Sequence, residues 1–401
     1  MEAGRQPVVR YRVIGLVTAL LVVAGGIAGY RVLAPGAILD HARTAYPSTA
    51  PAARPVVYGT LLAAPIVVDG RLRVYAGKQQ VFADNPVDIK STMSPFWSYR
   101  RWPAQLLGVV AVGTTVVSQW SDGQVVGIDA ATGTVAWQAK TPVPDGLKFT
   151  GRRTGASTVW EPSRLYTAGQ TVVAVGSRYA QGYDAASGRK LWQQPLAACA
   201  SAFTGPDVFV SVATCGAQAV HAVDARTGAE LTWPQAALTP VGCALGHSGC
   251  LGVRDSAGAW AIGAGGTLTP APALAAKDVW ATGKVAIVPK PGGEVTGVGL
   301  ADNKQLWAVS GRVLAVEPGA VHLVVDDRSL RFPEIVTLDP ATGEELSGYP
   351  LDVKGSEPFD IGPAYAVDHY LFIERSRPGA TADQPDSAYF YPSPNVVVAG
   401  S

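Results

Sequence analysis

Cys199, Cys215, Cys243 and Cys250 are the four cysteines of this 401-residue chain. An even number in an oxidising compartment predicts two disulfides. The run Cys243-Ala-Leu-Gly-His-Ser-Gly-Cys250 is glycine-rich at its centre, and a turn at Gly246-His247 sets Cys243 opposite Cys250. Cys199 and Cys215 flank Gly205-Pro206-Asp207, a turn between two strand-like runs. The pairings 199–215 and 243–250 are therefore favoured over the crossed ones. The rival chemistry is a metal site. Cys243, His247 and Cys250 could supply three of the four ligands tetrahedral zinc needs, the fourth coming from another segment.

Other catalytic chemistry finds little support. The chain has no H-E-x-x-H, no G-x-S-x-G and no G-x-x-x-x-G-K. Gly246-His247-Ser248-Gly249 is one residue short of a nucleophile elbow. The histidines, His41, His221, His247, His322 and His369, are scattered. No catalytic residue is assigned, and an enzyme is the less favoured reading. The densest aromatic and basic cluster is Phe96-Trp97-Ser98-Tyr99-Arg100-Arg101-Trp102. Trp97, Tyr99, Arg100, Arg101 and Trp102 form a candidate binding patch, because Trp, Tyr and Arg are typical interface anchors. Its competitor is a closing strand with Trp97 or Trp102 packed between sheets. A long Pro-, Ser-, Asp- and Tyr-rich loop is expected over 375–394.

Elements must hold these residues in place. Val13 to Tyr30 is an uncharged run of 18 residues, spanning ~27 Å as a helix against a hydrocarbon core of ~30 Å. Arg5, Arg10 and Arg12 precede it and Arg31 follows. That excess places the N-terminus inside and the rest outside. A transmembrane anchor is expected over 13–33, with residues 1–12 cytoplasmic and a Pro/Ala-rich extended tether over 34–55. A cleaved signal peptide is the rival, but Pro35 disfavours cutting after Ala34. Lys+Arg number 32 and Asp+Glu 31, for a net charge of +1. Such a balance does not attract a polyanion, so no nucleic-acid partner is expected.

From Tyr58 onward, valine-rich runs alternate with turns, and one signature recurs. Asp129-Ala-Ala-Thr-Gly133 precedes Trp137, Asp184-Ala-Ala-Ser-Gly188 precedes Trp192, Asp224-Ala-Arg-Thr-Gly228 precedes Trp233, and Asp339-Pro-Ala-Thr-Gly343 precedes Tyr349. Degenerate copies lie at Ala301-Asp302-Asn303-Lys304, before Trp307, and at Gly263 to Gly266. The Asp can accept from turn amides, and the Gly supplies a positive φ. The Trp then packs between neighbouring sheets. Upstream strands are read at Gly108 to Val117, Gln124 to Ile128, Thr171 to Gly176 and Ala180 to Tyr183. Asp184 and Asp224 are 40 residues apart, Asp302 and Asp339 are 37 apart, and an insertion at 141–162 widens the interval from Asp129. Four strands in ~40 residues is the period of a propeller blade. The fold class is all-β: a β-propeller of four-stranded antiparallel blades over 56–401. Eight blades are favoured, seven are the alternative, and the strand near Val56 to Leu62 closes the ring by joining the last blade.

The pattern V-x-A-x-D-A-x-T-G-x-x-x-W resembles the pyrroloquinoline-quinone-type (PQQ-like) propeller repeat. At fold level it is similar to quinoprotein dehydrogenases and to the propeller lipoprotein of the outer-membrane protein assembly machinery. The repeat specifies fold far more strongly than activity. The dehydrogenase resemblance would imply PQQ and calcium over the ring centre, an Asp base and often a disulfide between adjacent cysteines. The chain has no Cys-Cys pair and no C-x-x-C-H, so no cofactor is expected and those residues do not carry over. The expected function is a membrane-anchored, extracytoplasmic, non-catalytic platform. It would bind an envelope protein or cell-wall material, with the cytoplasmic membrane as a second partner. A PQQ/calcium-dependent dehydrogenase, or a degenerate cofactor-binding relative, is the alternative.

Overall fold

The computed structural model describes residue 21, residues 36–84, 87, 95–215, 219–326, 332–392 and 394–401. The expected cytoplasmic segment 1–12 and transmembrane helix 13–33 lie outside the described residues apart from Leu21. Among the described residues no helix is long and apolar enough to cross a membrane.

Eight antiparallel sheets form an eight-bladed propeller. The innermost strands are Pro65–Val68, Leu106–Val112, Leu165–Ala168, Ala200–Thr204, Thr239–Val241, Trp280–Thr282, Arg312–Glu317 and Asp360–Val367, in blades 1 to 8. Seven blades run four sequential strands from inside to outside, and blade 1 carries one more strand at its outer edge. The eighth takes three strands from the C-terminus, and Val57–Leu61 pairs with Val396–Gly400 as its outermost strand. The two ends of the propeller thus share one sheet, and the ring closes as the sequence predicted. The run read as one strand from Gly108 to Val117 is two, Leu106–Val112 and Thr115–Trp120, because Gly113 turns the chain at φ 54°.

The recurring signature explains how the blades hold together. In the Asp129 turn, the carboxylate accepts the Ala131 and Thr132 amides at 2.8 and 3.0 Å. Trp97 of blade 1 donates its indole N–H to the Ala130 carbonyl of that turn at 2.9 Å. The contact repeats from Trp137 to Ala185, Trp192 to Ala225, Trp233 to Gly266 and Trp307 to Pro340, at 2.6–2.8 Å. Each Trp therefore buttresses its own blade against the next blade's turn. Gly188 shows why the turn ends in glycine: its φ is 68°, and a Cβ there would stand 2.4 Å from the Trp137 side-chain ring. The degenerate copy at Gly263 to Gly266 is a working member of the series, since it supplies the Trp233 acceptor. Tyr349 stands in the Trp position of blade 7 and is buried.

Core strands such as Thr171–Val175 are buried at every position. Sheets covered on both faces favour continuous β-branched runs, which accounts for the abundant valine. The stretch read as an extended tether makes contacts with the propeller from Gly36 on. Gly36–Asp40 adds a fifth strand to blade 1, paired with Trp97–Trp102. The Ala42 amide then reaches the Thr132 carbonyl at 3.0 Å, and the Tyr370 hydroxyl donates to the Pro51 carbonyl at 3.1 Å. Pro-rich backbone lacks sheet periodicity, but its free carbonyls still accept bonds from fixed neighbours.

Candidate functional site

The expected insertion between blades 2 and 3 reaches blade 1, blade 8 and the disulfide loop of blade 5. The Ala64 amide of blade 1 donates to the Thr154 carbonyl at 2.8 Å. Gly155, at φ 77°, lets the chain press against blade 1, where a Cβ would meet the Ala76 carbonyl oxygen. A one-turn helix follows at Ala156–Val159, and Trp160 donates its indole N–H to the Pro65 carbonyl at 2.7 Å. The insertion is latched to the long loop of blade 8, the loop predicted over 375–394. Arg152 pairs with Asp386 at 2.8 Å and covers the Tyr389 side-chain ring at 4.2 Å. Arg153 donates to the Tyr391 carbonyl at 2.7 Å.

The Cys243–Cys250 loop meets this insertion. Both favoured disulfides are formed, 199–215 and 243–250. With both sulfurs spent in one disulfide, Cys243, His247 and Cys250 are not a zinc ligand set. Instead the loop leans on the innermost strand of blade 4. The Thr204 amide donates to the His247 carbonyl at 2.9 Å, and the Cys250 amide to the Thr204 carbonyl at 2.8 Å. Ser248 accepts the Thr167 amide at 3.1 Å, so the serine of the near-elbow motif is structural. At the loop tip, a Cβ on Gly246 would stand 2.9 Å from Glu161 Cα.

Between these parts lies a cleft of about 540 Å³. The aromatic residues Trp160, Trp280, Tyr365 and Tyr389 line it, with the carboxylates Glu161 and Glu374. The Trp160 and Tyr365 ring centroids are 6.0 Å apart. Glu374 is buried and accepts the Thr154 hydroxyl. Burial pushes its carboxyl pKa up, opposed by the Thr154 hydrogen bond. Burial likewise raises the Tyr365 phenol, which stays neutral. The cleft's serine, Ser157, donates to the Thr150 carbonyl at 3.0 Å, and no histidine lines the wall to activate it. The cleft thus combines four aromatic side chains with two carboxylates.

A PQQ–calcium pair would require oxygen ligands gathered at one place. Calcium takes six to eight oxygen ligands. Among the described residues, no group of three or more His, Cys, Asp or Glu is placed to hold a metal.

The candidate binding patch is divided by the structure. Trp97 and Tyr99 are buried against blade 2, Tyr99 edge-on to Trp120 with centroids 5.8 Å apart. They belong to the inter-blade core, a place the competing reading gave to Trp97 or Trp102. Arg101 forms a two-pronged pair with Asp122 at 2.8 and 2.9 Å. Arg100 and Trp102 remain exposed. Sequence reasoning missed Trp160, Tyr365 and Glu374 as neighbours. The legible signals were a Trp inside an insertion and an acid inside the apolar run Tyr370-Leu-Phe-Ile-Glu374.

Residues 54–233 match the family model described as "Outer membrane protein assembly factor BamB". The match holds the three clearest Asp-to-Trp repeats, so these repeats are of the PQQ-like propeller type. No curated protein is significantly similar in sequence. Among solved structures, BamB from Moraxella catarrhalis is similar at 14% identity and TM-score 0.34, covering 84% of this chain and 86% of that one. A computationally designed protein, Ika8, is similar at 15% identity and TM-score 0.44, covering 86% and 97%. Quinohemoprotein alcohol dehydrogenase from Comamonas testosteroni is similar at 13% identity and TM-score 0.38, covering 87% and 76%.

Proposed function

We propose that this chain is a membrane-anchored, extracytoplasmic β-propeller that serves as a non-catalytic protein-binding platform in the cell envelope. The observation that carries this reading is the cleft between the insertion, the disulfide loop and blade 8, where Trp160, Trp280, Tyr365 and Tyr389 offer aromatic anchors to a protein partner. The uncharged run at Val13 to Tyr30, with its arginine bias, supports the anchor. The family match over 54–233 supports a role in envelope assembly.

Photo-cross-linkers at Ser157 and Ala382, on the cleft rim, test the platform in living cells. Thr132, exposed on the opposite face, is the control. One recurring envelope protein captured from the rim positions and not from Thr132 is the expected outcome. A folded protein that yields no adduct from the rim overturns the reading. So does a clear rise in Tm of the full-length protein with calcium plus PQQ, since a ligand at 100 times its Kd adds about 2.7 kcal/mol to the folded state.

A further inference from the structure

The outer corner of blade 1 carries a second surface. Strand Gly36–Asp40 is the outermost strand of that blade, and all but Leu39 of its residues are exposed. It pairs in register with the candidate patch, Gly36 opposite Trp102 and Ile38 opposite Arg100. Residues directly opposite in an antiparallel pair project to the same face, and alternate residues share it. Ile38, Arg100 and Trp102 therefore project together, while Ala37 and Arg101 face blade 2. Ile38 is 64% and Trp102 49% exposed, and Trp102 is the one tryptophan of the ten in the exposed class. With Lys78 and Gln79 of the adjoining turn they border an open groove of about 570 Å³. Lys78 and Arg100 are exposed, and among the described residues neither has a carboxylate partner. The groove thus combines an aromatic residue, an aliphatic residue and free cations.

The chain's path says what covers it. Only Ala34 and Pro35 separate the expected anchor, 13–33, from Gly36. Three Cα steps of about 3.8 Å reach at most about 11 Å. Because Gly36 is held in blade 1, an anchor ending at Leu33 brings this corner to the bilayer surface. Tryptophan favours the headgroup interface, and basic side chains are drawn to anionic lipid.

We infer that the corner formed by Ile38, Lys78, Arg100 and Trp102 is a lipid-contact surface that takes anionic phospholipid headgroups and fixes the propeller's orientation on the membrane. This rests on the anchor in the proposed function.

The test uses the full chain in nanodiscs of phosphatidylglycerol mixed with phosphatidylcholine, carrying bromine on the upper acyl carbons. Bromine quenches nearby tryptophan, so wild-type emission should fall and that of W102F should not. The double variant K78E/R100E should lose the quenching while keeping its place in the bilayer. Equal emission change in wild type and W102F, in a protein resisting carbonate extraction, overturns the surface and leaves the anchor standing. A protein that carbonate releases overturns both. If strand Gly36–Asp40 gains hydrogen-exchange protection only on adding an acidic peptide, without quenching, the corner binds protein and the lipid assignment falls.

Discussion

At the residue scale, the inter-blade tryptophans combine burial with a hydrogen bond to the next blade. Trp192 is buried, donates to the Ala225 carbonyl at 2.6 Å and packs against Gly228 of the next turn. Trp192→Ala should cost ~3–5 kcal/mol through the cavity it leaves. Trp192→Phe keeps most of the volume and should cost ~1–3 kcal/mol through the orphaned carbonyl. Urea unfolding of both variants checks the order. Glu374 makes a pH-dependent prediction. Its folded pKa is raised, chiefly by burial. The carboxyl therefore supports the fold below its ordinary pKa of ~4.3, and that support is lost as pH rises through the folded value. Glu374→Gln keeps an acceptor for Thr154 and carries no charge. Its Tm relative to wild type should rise from pH 4 towards pH 8. A flat difference across that range would show that Glu374 is not penalised by burial.

At the element scale, each disulfide closes one hairpin, and the two hairpins do different work. Cys199 and Cys215 span 16 residues, at the open end of the paired first two strands of blade 4. Loss of that bond should cost about 3 kcal/mol by the chain-entropy relation. Cys243 and Cys250 span 7 residues and shape the loop that meets Trp160 and Glu161. Its loss should cost slightly less, about 2–3 kcal/mol by the same relation. Yet Cys243→Ser/Cys250→Ser should be the more damaging pair for the cleft. Limited proteolysis should then cut the 141–162 insertion faster than in wild type, whereas Cys199→Ser/Cys215→Ser should leave that rate unchanged.

At the scale of the whole molecule, the shared closing blade makes the propeller one cooperative unit. Val396, Val397 and Val398 are buried in the strand that pairs with Val57–Leu61. Burying three valines is worth ~1.5–3 kcal/mol each, and the net stability of a domain is ~5–15 kcal/mol. Truncation after Asn395 should therefore abolish the cooperative thermal transition rather than lower its midpoint. A sharp transition in the truncated chain would mean that the ring tolerates an open blade.

The sequence by itself determined the repeating parts. The Asp-x-x-Thr-Gly turns, the spaced tryptophans and the ~40-residue period are local devices, used again in each blade, so they can be read one blade at a time. The two disulfides were legible for the same reason, since each closes a hairpin on itself. The cleft was not legible. Trp160, Tyr365 and Glu374 are 205 and 9 residues apart in turn, and only closure of the ring sets blades 1 and 8 side by side. The division of Trp97 through Trp102 into buried and exposed members also needed the tertiary structure. Which face of a strand meets the next blade depends on sheet packing, while a period of two shows only that the faces differ. The contacts of the Pro-rich stretch after Gly36 were not legible because its bonding partners, Thr132 and Tyr370, lie far away in the chain and come near it only when the propeller is complete.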